Sequence, residues 1–158
     1  MTTPKHCPHC GCAFDQHSTP QRNRYFAVIR ALYMHWPERH LITGAAIEFQ
    51  PEDETHLRKW LQVKAGYKTV TTVEVPSADP AITKLVMLAT ESIIKAAGGY
   101  AFIRPHGDGL AVFTSRSIKV HALSGKEFTR LNDAVAEVIA NETGHDPEQL
   151  LRETERAA

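Results

Sequence analysis

At 158 residues, 42% apolar and 23% charged, the chain has the balance of an ordinary globular protein with room for one domain and a small appendage. Its eighteen Lys/Arg cancel its eighteen Asp/Glu, which argues against tight non-specific nucleic-acid binding, because that affinity comes mainly from released counterions. No apolar run approaches the roughly 18 residues of a membrane span, and Met1-Thr2-Thr3-Pro4-Lys5-His6-Cys7 lacks the apolar core of a signal peptide, so a cytoplasmic location is expected.

The charge is unevenly spread. Residues 1–130 carry sixteen Lys/Arg against eleven Asp/Glu, and residues 131–158 carry two against seven. A moderately basic body with an acidic C-terminal segment permits weak or localised nucleic-acid binding; the plainer alternative is two solvated faces.

Residues 1–17 show no periodicity and contain all three cysteines, at positions 7, 10 and 12. Cys7-Pro8-His9-Cys10-Gly11 has the spacing and turn residues that aim two thiolates at one tetrahedral zinc, and a closed site needs two more ligands. His35 and His40 offer one completion, which would clamp the arm across the end of the first helix and turn metal binding into stability. Cys12 and His17 offer a local alternative. The remote set of Cys7, Cys10, His35 and His40 is preferred, as a structural Zn²⁺ site.

The first helix is expected from Thr19 as N-cap with Pro20 at the first helical position. Tyr25, Phe26, Val28, Ile29, Leu32, Tyr33 and Trp36 form its apolar stripe, and Pro37 stops it. Pro51-Glu52-Asp53-Glu54 opens a second helix with Leu57, Trp60 and Leu61 inward and Gly66 as its terminator. Tyr67 to Val75 is β-branched and alternating, hence a strand. Asp79-Pro80 begins a third helix, with Ile82, Leu85, Val86, Ala89, Ile93 and Ile94 expected in the core and Gly98-Gly99 at its end.

Tyr100 to Ser115 reads as a β-hairpin looped through residues 105–109, with Arg116 to His121 either extending its second strand or forming an edge. Ser124-Gly125-Lys126-Glu127 is a capping box. The fourth helix follows, with Phe128, Leu131, Val135, Val138 and Ile139 inward and Gly144 closing it. Asp146-Pro147 starts a short acidic helix to about Arg156. The order predicts an α+β domain: a small, mainly antiparallel sheet of about three strands covered by helices. Residues 1–17 are the Cys/His-rich arm, 18–144 the core domain and 145–158 the acidic C-terminal helix.

Basic residues recur beside aromatic ones. Arg22 and Arg24 open the first helix, where free backbone N–H groups favour anions. Arg104, Arg116, Lys119 and Lys126 lie on or near the hairpin, and Tyr25, Tyr67 and Tyr100 are candidate stacking surfaces. Interleaved Arg and aromatic side chains suit single-stranded nucleic acid; the structural alternative is edge protection by charge and ordinary core aromatics. His35, His40, His56, His106 and Asp108 are the candidate ligands of a catalytic metal, although His106-Gly107-Asp108-Gly109 reads first as turn chemistry. No nucleophile motif, P-loop or dinucleotide fingerprint is present, so no enzyme is expected.

Two stretches carry a resemblance. Pro20-Gln21-Arg22-Asn23-Arg24-Tyr25-Phe26 resembles the Gln-Asn-Arg segment that begins a helix in the phage lambda Orf (NinB) family. Thr114-Ser115-Arg116-Ser117-Ile118-Lys119-Val120, followed by Glu127-Phe128, resembles that family's C-terminal Thr-Ser-Arg and Glu-Phe stretch. The later segment is also similar to a prophage domain of unknown function found among lambdoid phages, and residues 56–67 fit that pattern loosely. The resemblance covers a third to a half of the chain. It implies a dimeric recombination mediator in a bacterial host cell, binding single-stranded DNA and a single-strand-binding protein or recombinase, with Arg22, Arg24, Arg116 and Lys119 facing DNA. Two other functions are consistent with the sequence. One is an interaction module using the acidic segment from Glu137 to Glu155 on a host factor, and the other is a metal-dependent nuclease.

Overall fold

The computed structural model describes residues 19–36, 41–42, 45–46, 49–76, 79–119 and 122–157. The predicted arm, with Cys7, Cys10, Cys12 and His17, lies outside the described residues, as does His40. In chain order the elements are α1 (Thr19–Met34), β1 (Leu41–Ile42), β2 (Ala45–Ala46), α2 (Glu54–Lys64), β3 (Lys68–Glu74), α3 (Pro80–Ala96), β4 (Phe102–His106), β5 (Gly109–Ser115), α4 (Gly125–Thr143) and α5 (Pro147–Ala157). The expected α+β order is present, with a two-residue antiparallel ladder, β1 with β2, added after α1. Two compact units divide the chain, one from residues 1–50 and 117–158 and the other from residues 51–116. Among the described residues no helix is long and apolar enough to cross a membrane.

The first unit is helical. Tyr25, Val28, Ile29 and Leu32 are spaced to share one face of α1, and all four are buried together with Ala31. The Tyr25 ring meets Phe128 of α4 edge-on, with centroids 5.5 Å apart, and α1 packs along α5. Phe26, expected in the stripe, is 37% exposed because its position turns away from that face. The capping box at α4 is complete. Ser124 Oγ accepts the Glu127 N–H at 3.3 Å, and Glu127 Oε2 accepts the Ser124 N–H at 2.9 Å. Phe128, Leu131, Val135 and Ile139 are buried one turn apart along α4, and Leu150 is buried in α5.

The second unit is an antiparallel sheet in the order β3-β5-β4 with α2 packed on it. Asp53 caps α2, its Oδ1 accepting the His56 N–H at 2.7 Å. At the other end the Tyr67 N–H reaches Gln62 O and the Gly66 N–H reaches Val63 O, the paired bonds of a Schellman motif with Gly66 at φ 83°. The buried Val63 then sits against Ala111 and Phe113 of β5, with Phe102 of β4 alongside. Gly109 starts β5 where no side chain fits, since a Cβ there would lie 2.4 Å from Val73 O. The β4–β5 connection is only Gly107-Asp108, shorter than the five-residue loop expected, and residues 116–119 extend no strand.

One expectation fails clearly. No residue of α3 is buried; Leu85 is 66% exposed, Leu88 55% and Ile93 70%. Periodicity specifies which residues share a helix face, not whether the chain covers that face. The polar side chains Lys84, Glu91 and Lys95 occupy a narrow sector of α3, so its apolar arc is wider than a single packing contact covers. Strand β3 shows the same limit, with five of its seven residues exposed.

Two substitutions test these local causes. Ser124→Ala should cost about 1 kcal/mol by removing the cap. Gly109→Ala should cost more, about 1–3 kcal/mol, because the Val73 carbonyl is backbone and cannot swing aside. Urea unfolding of both variants gives the comparison, and equal losses would contradict the account of Gly109.

Candidate functional site

The pairing register of the sheet decides which side chains meet. Val70, Phe113 and Phe102 lie opposite one another across β3, β5 and β4, as do Thr72, Ala111 and Arg104. Directly opposed residues point to the same face, and diagonal neighbours two residues along remain within reach of long side chains. Lys68 on β3 and Arg104 on β4 are the long cationic side chains among the diagonal neighbours of Phe113. Accordingly Lys68 Nζ and Arg104 Cζ each lie 4.8 Å from the Phe113 ring centroid. On α2, Lys64 follows Trp60 by one turn and its Nζ stands 5.3 Å from the indole centroid.

These residues, with Val63 and Ile103, line a cleft of about 260 Å³. The lining holds three cations, three aromatic rings and no carboxylate. Neither Lys68 nor Arg104 has a carboxylate partner among the described residues. A cation over an aromatic face gains about 0.5–1 kcal/mol at exposed sites, enough to hold a flexible side chain in place without cancelling its charge. Beyond the cleft, the Arg116 guanidinium lies 4.8 Å from the Tyr67 ring centroid. The arrangement suits an anion joined to a flat apolar body, and the volume falls just below the roughly 300–1,000 Å³ usual for cofactor or drug-sized ligands.

Phe102 links the cleft to a second cluster. The His56 ring stacks on Tyr100 at 4.4 Å and on Phe102 at 5.6 Å, and Lys59 Nζ lies 5.2 Å from the Tyr100 centroid. Tyr100 Oη donates to Asp53 Oδ2 at 2.6 Å. That bond holds the Asp53 carboxyl below its ordinary range and pushes the Tyr100 hydroxyl up to about 12. His56 Nδ1 accepts the Glu52 N–H at 3.2 Å, which requires the unprotonated nitrogen. Burial lowers the His56 pKa against the opposing pull of Glu52 and Asp53. The cluster fixes the rings behind Phe102 and leaves their outer surfaces to the solvent side.

The residues singled out in the sequence are distributed differently. Arg22 and Arg24 lie on α1 and Lys119 in the segment before α4, all in the first unit, whereas Arg116 follows β5 in the second. Arg22 rests over the Phe26 ring at 5.7 Å, and the Arg24 guanidinium donates to the Glu148 carboxylate. Tyr25, a candidate stacking surface, is buried in the core at 1% exposure and has no face to offer a ligand. His35 is exposed just beyond α1, its N–H bonded to Ala31 O at 3.2 Å. His106 and Asp108 sit exposed at the β4–β5 turn, and Asp108 lines a shallow cavity with Val75, Pro76 and Thr83. Among the described residues no group of three His, Cys, Asp or Glu is gathered for a metal.

Sequence reasoning missed Lys64, Lys68, Phe102 and Phe113, and placed Trp60 only in the core. Two signals were there: Lys64 four residues after Trp60, and Arg104 two residues after Phe102. Both became meaningful only with the register.

The His56 environment predicts a pH dependence. Since folding lowers its pKa below 6.5, the unfolded chain takes the proton first. The stability from the neutral, stacked ring is fully present above about pH 6.5 and drains away as pH falls towards the depressed folded value. His56→Phe keeps the stack and removes the titration, so its unfolding free energy should fall less between about pH 6.5 and 5 than that of the wild type. Parallel curves would contradict this.

No family model matches the chain, and no curated protein or solved structure matches it significantly.

Proposed function

We propose that this chain binds single-stranded nucleic acid through the cleft between α2 and the β3-β5-β4 sheet, as a DNA-binding accessory in recombination. The observation that carries this is the seating of Lys64, Lys68 and Arg104 on the rings of Trp60 and Phe113, with no carboxylate in the lining. Single strands are held by cations that track phosphates and by aromatic surfaces that stack bases of any sequence. Phe102 is the half-buried ring of the lining and the candidate stacking surface. Arg116 over Tyr67 extends the run of cations beyond the cleft. A duplex is a poorer fit, because its bases are already stacked on one another. The setting in recombination rests on the resemblance of residues 20–26 and 114–120 to the Orf (NinB) family.

Fluorescence anisotropy with single- and double-stranded oligonucleotides over a salt series tests this. Four phosphate contacts predict a slope of log K against log salt of about −3 for a single strand, since each neutralised phosphate contributes roughly −0.7. Arg104→Ala should flatten the slope by about 0.7–1. Phe102→Ala should weaken binding by about 5- to 100-fold with the slope unchanged, the value of one lost stack. Absence of binding at low salt, or equal affinity for the duplex, would overturn the proposal.

We also propose that the arm carries a structural Zn²⁺ on Cys7 and Cys10, completed by His35 and His40 or by Cys12 and His17. One zinc per chain is expected by elemental analysis, and Cys7→Ser with Cys10→Ser should remove it and lower the melting temperature. Metal-free purified protein would contradict this.

A further inference from the structure

We propose that the outer edge of β3 pairs antiparallel with the same strand of a second copy, making a two-fold dimer with one continuous six-stranded sheet. The two edges of the sheet are built differently. The β4 edge carries Arg104 and Pro105, the kind of charge and missing donor that discourages further pairing. The β3 edge has neither between its ends. Thr69, Val70, Thr71 and Thr72 are all exposed and uncharged, and Val70 is 51% exposed. Such an edge is a template for another strand.

The residues of β3 also specify the occupant. The Arg116 N–H donates to Tyr67 O at 3.2 Å, and these two residues continue the β3–β5 register in which Lys68 faces Ser115. In an antiparallel ladder the bonding direction alternates. Tyr67, Thr69, Thr71 and Val73 therefore direct their backbone groups at β5, and Lys68, Val70, Thr72 and Glu74 direct theirs outward. A second copy aligned about Thr71 brings Lys68 opposite Glu74 and Val70 opposite Thr72, each pair occurring twice. Every outward-bonding residue then meets another outward-bonding residue. This register also opposes the full seven residues of both strands and brings the positions of Lys68 and Glu74 across from each other, opposite charges placed near one another while the Lys68 ammonium stays over the Phe113 ring. Lys68 and Glu74 share a face, so each Lys–Glu pair lies on one side of the joined sheet.

The interface stands on this register alone and does not require that the cleft bind nucleic acid. Its consequence for the cleft is geometric. The two-fold axis runs perpendicular to the sheet, so both copies present the face bearing Lys68, Phe113 and Arg104 on the same side. Three strand spacings separate the two β5 strands, about 14 Å, so a single strand crossing the axis would meet two cation-lined clefts in succession.

Sedimentation velocity of the full chain over about 1–100 µM tests the dimer. The wild type is expected at twice the 17.6 kDa of the chain. Thr71 faces its own counterpart at the axis, so Thr71→Lys alone and Thr71→Glu alone each place like charges together and should sediment as monomers. An equimolar mixture of the two should return to the dimer mass. Glu74→Lys, at the exposed end of the strand, is a second route that sets Lys against Lys68 at both ends and should weaken association about tenfold or more. A wild-type monomer throughout, a dimer unaffected by Thr71→Lys or Glu74→Lys, or no recovery on mixing folded variants would overturn the proposal.

Discussion

The placement of β5 is the constraint on which the second unit depends. From Gly109 to Phe113 every residue of that strand is buried, and neighbours hold both of its edges. Gly109 lets the β3 backbone come within the distance at which any side chain would collide. Once that approach is fixed, the register of β3 and of β4 on β5 follows, and a one-residue slip would send each side chain to the opposite face. In the observed register Lys68, Phe113 and Arg104 share a face and are diagonal neighbours on it. The cleft is thus a product of strand pairing, with α2 closing it through Val63, Trp60 and Lys64.

A chain with no net charge builds a locally cationic surface by sorting its charges. Several carboxylates of the second unit are engaged elsewhere: Asp53 at the N-cap and Tyr100, and Glu52 with Lys95 at 2.7 Å. In the cleft, Lys68 and Arg104 are seated over the Phe113 ring and have no carboxylate partner among the described residues. In the first unit the balance is struck differently, since Arg24 is tied to Glu148. Two arginines that look alike in sequence, Arg24 and Arg104, therefore stand in opposite electrostatic circumstances.

Much of the fold was legible because its punctuation is local. The Ser124–Glu127 box, the Asp79 cap, Gly66 and Gly98 at the helix ends, and Pro147 at the start of α5 each act within a few residues, and each marks a boundary where expected, whereas Asp53, expected inside the first turn of α2, is its N-cap. The site was not legible, because its members come from α2, β3, β4 and β5 and meet only through a long-range register. Tyr25 is open to two readings in sequence, a stacking surface and a member of the buried α1 stripe. It sits beside Arg24 and looks like a stacking partner, yet helical periodicity turns it into the core against Phe128. The apolar spacing of α3 was correctly seen as a face, but a pattern within one helix holds no information on whether anything covers that face.

The central claim is that nucleic acid lies in the cleft rather than along α1. Titrating an isotope-labelled chain with a short oligothymidylate and following amide and side-chain NMR signals tests it most directly. The account predicts shifts concentrated at Trp60, Lys64, Lys68, Phe102, Arg104 and Phe113, with Arg22 and Arg24 still. Shifts confined to α1, or none at the cleft under conditions where the oligonucleotide binds, would contradict it.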